Sequence, residues 1–225
     1  TVNDNLGAYS FTTDTPETIT LYPLTYIPNS MQLLINGTVQ PAPTVTAADG
    51  ITITGVSIPS GGNAAFIYQA DINDYAPLAA AGNVINTVRV TGAQLAAPLT
   101  ATHTISTATV PNLSIVKGIC PAQIAENGRI TYTFSIQNYG NTATTDDDLV
   151  QIRDTFTPIL SDISVTYNGT VLPTSNYSYD QATGVFSTNA GVINIPAATY
   201  VQSQTTGVYT LTPGTATVTV TGNIS

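Results

Sequence analysis

The chain has 225 residues, with 4 basic and 13 acidic side chains, one His and a formal net charge of −9. The cations Arg89, Lys117, Arg129 and Arg153 are scattered. Nucleic-acid binding and attraction to an anionic membrane surface both need clustered positive charge, so both are excluded. No apolar run approaches the ~18 residues of a membrane-spanning helix, and the lone Cys120 allows neither an internal disulfide nor a cysteine zinc site.

Thr is the commonest residue, Tyr outnumbers Phe 12 to 5, and Trp is absent. Such residues fit a pleated, half-buried surface, so the composition predicts an all-β chain. Few Lys and Glu beside many Thr, Asn and Gly resemble the make-up of mature extracellular or cell-surface proteins. The first residue is Thr, with no basic leader ahead of it, which reads as a processed or trimmed chain.

Strand signals recur along the chain. Ala64, Phe66, Tyr68, Ala70 and Ile72 fall on one face, as do Val84, Asn86, Val88 and Val90, and later Ala216, Val218 and Val220. Asn36-Gly37 and Asn168-Gly169 mark two-residue hairpins, because a type I′ turn needs positive φ at both central positions. The segment Ala76 to Gly82 has room for one helical turn only.

An internal repeat is visible. Leu33-Leu-Ile-Asn-Gly-Thr-Val39 is echoed by Val165-Thr-Tyr-Asn-Gly-Thr-Val171, Val56-Ser-Ile-Pro59 by Ile193-Asn-Ile-Pro196, and Val88-Arg-Val-Thr-Gly92 by Val218-Thr-Val-Thr-Gly222. Asn3-Asp4-Asn5-Leu6 matches Arg153-Asp154-Thr155-Phe156. The ordered matches predict two tandem β-sandwiches, residues 1–109 and 110–225, joined near Pro111. The second copy carries two strand signals before its match to Asp4, Leu113 to Lys117 and Ile130 to Ile136. The first copy has no counterpart of them, so it is expected to be two strands short of its own repeat.

Leu113-Ser-Ile-Val-Lys117, Ala125-Glu-Asn-Gly128, Ile130-Thr-Tyr-Thr-Phe-Ser-Ile-Gln-Asn138 and Gly140-Asn-Thr142, followed by Asp154, carry a resemblance. The chain resembles the bacterial "domain of unknown function eleven" family, immunoglobulin-like repeats of Gram-positive secreted and cell-wall proteins. The second unit matches end to end, and the first matches the later part of the pattern only. Within the family the chain looks closest to short two-repeat proteins that carry a further segment ahead of this starting point. The resemblance implies immunoglobulin-like fold and surface location, and no enzymatic activity or cofactor. Cys120 and the run Asp146-Asp147-Asp148 depart from the pattern.

Few residues suggest chemistry. His103 lies in an alternating strand without a nucleophile elbow, so it reads as a surface residue. Glu17 and Glu126 fall in different units and form no glycosidase pair. Asp146, Asp147 and Asp148 could hold Ca²⁺, although an exposed acidic loop is the plainer reading. Lys117, the only Lys, is a candidate for an isopeptide bond to Asn223 with Asp154 as proton shuttle, against the plainer reading of a surface strand residue. Cys120 is a candidate for a disulfide to another chain, against an idle thiol.

These observations predict a structural subunit of an extracellular filament, appendage or surface layer. It would polymerise with copies of itself by strand complementation of the first unit, because an unpaired edge is a template for another strand; the completing strand comes from a neighbouring copy or from an N-terminal piece of the protein's own chain. The alternative is a stalk or adhesin module binding carbohydrate or protein, with the sugar stacked on freer tyrosines such as Tyr177 and Tyr179.

Overall fold

Runs of Val, Ile, Tyr and Thr with period 2 become strands because alternate side chains reach opposite faces of a pleated sheet. The computed structural model describes residues 1–120 and 128–224. It is all-β and divides into two units, Thr1–Ala108 with Tyr200–Thr210, and Thr109–Thr199 with Leu211–Ser225. The sequence suggested a contiguous division. Here the hairpin at residues 200–210 belongs with the first unit.

Unit 1 contains β1 (Val2–Asp4), β2 (Tyr9–Thr12), β3 (Thr18–Leu21), β4 (Leu24–Tyr26), β5 (Gln32–Ile35) and β6 (Thr38–Gln40). It continues with β7 (Thr44–Thr46), β8 (Ile51–Thr54), β9 (Ala64–Ile67), β10 (Ala70–Ile72), β11 (Asn83–Val90) and β12 (Leu99–Ser106). One sheet runs β12-β11-β1-β8-β7, faced by β6-β5-β9 and the pair β10-β4. Between them lie Val2, Leu6, Met31, Ile51 and Ile53, with Phe66, Tyr68 and Ala70 only partly buried against them.

Unit 2 contains β13 (Leu113–Cys120), β14 (Arg129–Asn138), β15 (Arg153–Thr155), β16 (Leu160–Tyr167), β17 (Thr170–Val171), β18 (Tyr177–Asp180) and β19 (Val185–Thr188). After β20 (Thr199–Gln202) and β21 (Tyr209–Thr212), it closes with β22 (Gly214–Ile224). A five-stranded sheet, β13-β14-β22-β16-β17, faces β15-β19-β18. Its core is well sealed: Ile130, Leu160, Phe186, Ile193, Ile195, Val218 and Val220 have no solvent exposure. The β20–β21 hairpin anchors within unit 1, where Asp14 N donates to Gln204 O and Gln202 Nε2 donates to Tyr9 Oη.

Strand neighbours fix how the repeats correspond. The sheets β1-β8-β7 and β15-β19-β18 share order and antiparallel sense. Asp4 and Asp154 hold the same place in them, flanked by the buried pairs Val2/Leu6 and Ile152/Phe156. The hairpins β5–β6 and β16–β17 also match, with positive φ at Asn36, Gly37, Asn168 and Gly169 as their turns require. Since β5 pairs with β9 and β16 pairs with β22, the counterpart of β22 is β9–β10. The sequence match of Val88–Gly92 to Val218–Gly222 is therefore corrected, because Val88 lies on β11, which pairs with β1 and β12. Val/Thr alternation looks alike in any strand, and only the hydrogen-bonded neighbour tells them apart.

Two consequences follow for the edges. Among the described residues, β9 and β10 have a strand neighbour on one side only, where β22 has β14 and β16 on its two sides. Among the described residues of unit 1, no strand stands in the places of β13 and β14. Conversely, among the described residues β15 has only β19 beside it, although the matching β1 also has β11. Among the described residues of unit 2, no strand stands in the places of β11 and β12.

Asn138 closes the end of the unit 2 core. It is fully buried, accepts from the N–H groups of Asn112 and Gly140, and donates to the carbonyls of Thr142 and Pro196. Gly140 is required beside it, since a Cβ there would lie 2.2 Å from Val110 O. Asn138→Ala orphans these groups and is expected to cost on the order of 3 kcal/mol. Urea unfolding followed by circular dichroism checks this; a loss within experimental error would contradict it.

Candidate functional site

The chemistry of each unit gathers at its central aspartate. In unit 1, Asp4 is 8 % exposed at the end of β1. Its Oδ1 accepts from Leu6 N at 2.9 Å, and its Oδ2 accepts from Tyr68 Oη at 2.8 Å and from Asn86 Nδ2 at 3.1 Å. Asn86 is delivered by β11, which is locked to the turn after β1 by Thr87 N donating to Asn5 Oδ1 at 2.7 Å. Burial lifts the Tyr68 hydroxyl well above the usual phenol range, and its bond to the Asp4 carboxylate lifts it further.

In unit 2, Asp154 forms an ion pair with Lys117 of β13. Lys117 Nζ lies over three ring faces, 4.7 Å from the centroid of Tyr132, 5.8 Å from Phe156 and 6.0 Å from Phe134. The Lys117 side chain is nevertheless 42 % exposed, against 18 % for Asp154. Lys117, Gly118, Ile119, Tyr132, Thr155 and Thr157 line a cleft of about 350 Å³. Desolvation raises the Tyr132 hydroxyl above the ordinary phenol value, and the charge on Asp154 adds to this.

The sequence candidates meet mixed outcomes. Lys117 and Asp154 are brought together, but Asn223 is not with them. Lys117 registers opposite Phe134, and Phe134 opposite Val218, while Asn223 lies further along β22 opposite Arg129. Its Nδ2 points to Asp162 Oδ2 at 3.4 Å. A Lys117–Asn223 bond is therefore corrected: the antiparallel register separates the two. Asp146, Asp147 and Asp148 form a 3₁₀ turn in which the carboxylates of Asp146 and Asp148 accept hydrogen bonds. Asp148 Oδ2 accepts from Thr145 N at 2.7 Å, and Asp146 Oδ1 accepts from Asn194 Nδ2 at 2.6 Å. Among the described residues no group of three or more His, Cys, Asp and Glu is placed to hold a metal ion.

Cys120 is a free, exposed thiol at the end of β13. Pro121, Glu126 and the motif residues Ala125 to Asn127 lie outside the described residues. His103 is exposed on β12, opposite Asn86 in register. Tyr177 and Tyr179, expected to be free for stacking, are instead packed. Tyr177 lies 5.9 Å from the ring of Phe186, and Tyr179 Oη accepts from Leu160 N and donates to Leu160 O. Sequence reasoning missed the roles of Asn86 and Tyr68, although an Asn on the inward face of an otherwise apolar strand was the available signal.

No helix among the described residues is long and apolar enough to cross a membrane. No family model matches the chain, and no curated protein is recognisably similar to it in sequence.

Tyr68 keeps its proton in the folded state at a pH where the unfolded chain has lost it. Folded-state stability is then whole below the ordinary phenol value of about 10 and falls as pH rises above it. Tyr68→Phe is expected to flatten part of that alkaline decline, measured as urea midpoints against pH. An unaltered slope would contradict the Asp4–Tyr68 assignment.

Proposed function

We propose that the protein is a structural subunit of an extracellular filament, appendage or surface layer. Copies join head to tail when an alternating strand from one copy completes the first unit of the next. The observation that supports this reading is the open edge of β9–β10. In β22 the alternate residues Ala216, Val218 and Val220 are at most 2 % exposed. In β9–β10 the corresponding inward residues Ala64, Phe66, Tyr68 and Ala70 are all only half-buried. Covering large side chains such as Phe66 and Tyr68 stabilises by about 1.5–3 kcal/mol each, before the cost of ordering the incoming strand. A head-to-tail contact does not close on itself and so propagates. The surface-repeat resemblance and the Lys-poor, Thr-rich composition favour an extracellular setting, and the net charge of −9 opposes lateral clumping. A carbohydrate-binding stalk is the weaker reading, because Tyr177 and Tyr179 are engaged within their own unit.

Asn36 N donates to Asn63 O, so the alternating ladder turns the N–H and C=O of Ala64 and Phe66 toward the open edge. Size-exclusion chromatography and electron microscopy should show concentration-dependent linear oligomers. Ala64→Pro removes a donor from the open edge without touching the β5 ladder, and should leave folded monomers. A wild-type chain that stays monodisperse and monomeric with both units folded would overturn the proposal.

A further inference from the structure

The two central aspartates sit at one position of the repeat, yet each has a partner the other lacks. Beside Asp4 lies Asn86, brought by β11, with no Lys. Beside Asp154 lies Lys117, brought by β13, and the outer edge of β15 has no strand among the described residues. Each unit holds two members of a Lys–Asp–Asn set. In unit 2 no strand among the described residues stands in the place of the Asn-bearing strand. Asp154 Oδ2 is closed to solvent, and no hydrogen-bond donor among the described residues reaches it apart from the facing ammonium. Leu113, Ile115 and Ile119, on the same face of β13 as Lys117, are 40 %, 55 % and 45 % exposed.

We propose that the outer edge of β15 takes a strand of the β11 pattern from another copy of the chain, and that Lys117 then forms an amide bond with the Asn this strand presents to Asp154. The occupant follows from unit 1, where β11 lies on the matching edge with Asn86 Nδ2 3.1 Å from the aspartate. The β11–β12 hairpin suits an exchange between copies, since none of its residues is fully buried and all of β12 is exposed. The reaction balances without a co-reactant. Asp154 takes one proton from the Lys117 ammonium. The freed amine forms the Nζ–Cγ bond with the Asn side chain, and Asp154 returns the proton to the amide nitrogen. Nζ then gives up a second proton to Asp154 as the Cγ–Nδ2 bond breaks, and the departing ammonia carries that proton away as ammonium. The rings of Tyr132, Phe134 and Phe156 bound one side of Nζ and hold it against the carboxylate. Such fixed geometry is worth effective concentrations of roughly 10⁵ M or more. The assignment does not depend on completion of unit 1; either can fail alone.

The test uses the full chain and an excess of a synthetic peptide with the sequence of residues 83–106, read by intact-mass spectrometry. The expected product carries one peptide per chain and is lighter than the sum by one ammonia. Trypsin then fails to cut at Lys117 and trims the peptide at its own Arg89, leaving residues 83–89 of the peptide attached within residues 90–129 of the chain. The peptide with Asn86→Ala gives no product. Neither does the protein with Lys117→Arg, which keeps the cation beside Asp154 and hence the fold, verified by circular dichroism. Absence of the product, binding without loss of ammonia, or a product that persists with Lys117→Arg would each overturn the proposal.

Discussion

A strand inside a sandwich needs a hydrogen-bonded neighbour along each edge and cover over its apolar face. That requirement organises both units. β22 meets it in full: β14 lies on one side, β16 on the other, and its inward residues are sealed. β9–β10 has the same position and the same alternation, but a neighbour on one side only. Its inward side chains are smaller or aromatic, and they remain half in solvent. The difference lies in what stands next to the strand and not in the strand itself.

The buried aspartate applies the same logic to charge. A carboxylate held away from water must be hydrogen-bonded or paired. Unit 1 satisfies Asp4 with a hydroxyl, an amide and a backbone N–H, all neutral donors. Unit 2 satisfies Asp154 with an ammonium, set on a wall of three rings. These alternative solutions at one position arise because different strands are present in the two units. β11 carries the amide, β13 carries the ammonium, and among the described residues neither unit shows both strands.

The strand content and the Asn-Gly hairpins were legible because period-2 alternation and turn chemistry are local. The pairing of Lys117 with Asp154 was legible in part, since both residues are rare polar intrusions in apolar alternation. Three features were not. The correspondence of β22 with β9–β10 was hidden because Val/Thr strands look alike, so Val88 was matched to Val218 although their neighbours differ. The hairpin at residues 200–210 gave no sign of its unit, because Tyr9, Asp14 and Asp74, which hold it, are distant in sequence. The packing of Tyr177 and Tyr179 depends on Phe186 and on the backbone of Leu160, which no periodicity reports.

Composition and edge chemistry meet at Lys117. A strand held on an edge by backbone bonds and a few apolar contacts can leave again, and its lifetime is set by its off-rate. An amide bond removes that route. A chain rich in lysine would offer many amines to a misplaced carboxamide. This chain has one Lys, and it stands beside a carboxylate, against aromatic rings and next to a strand edge that has no neighbour among the described residues. A nucleophile made unique by composition needs no further device to choose its site. Its selectivity rests on which strand enters, and therefore on the alternation that places an Asn opposite the aspartate.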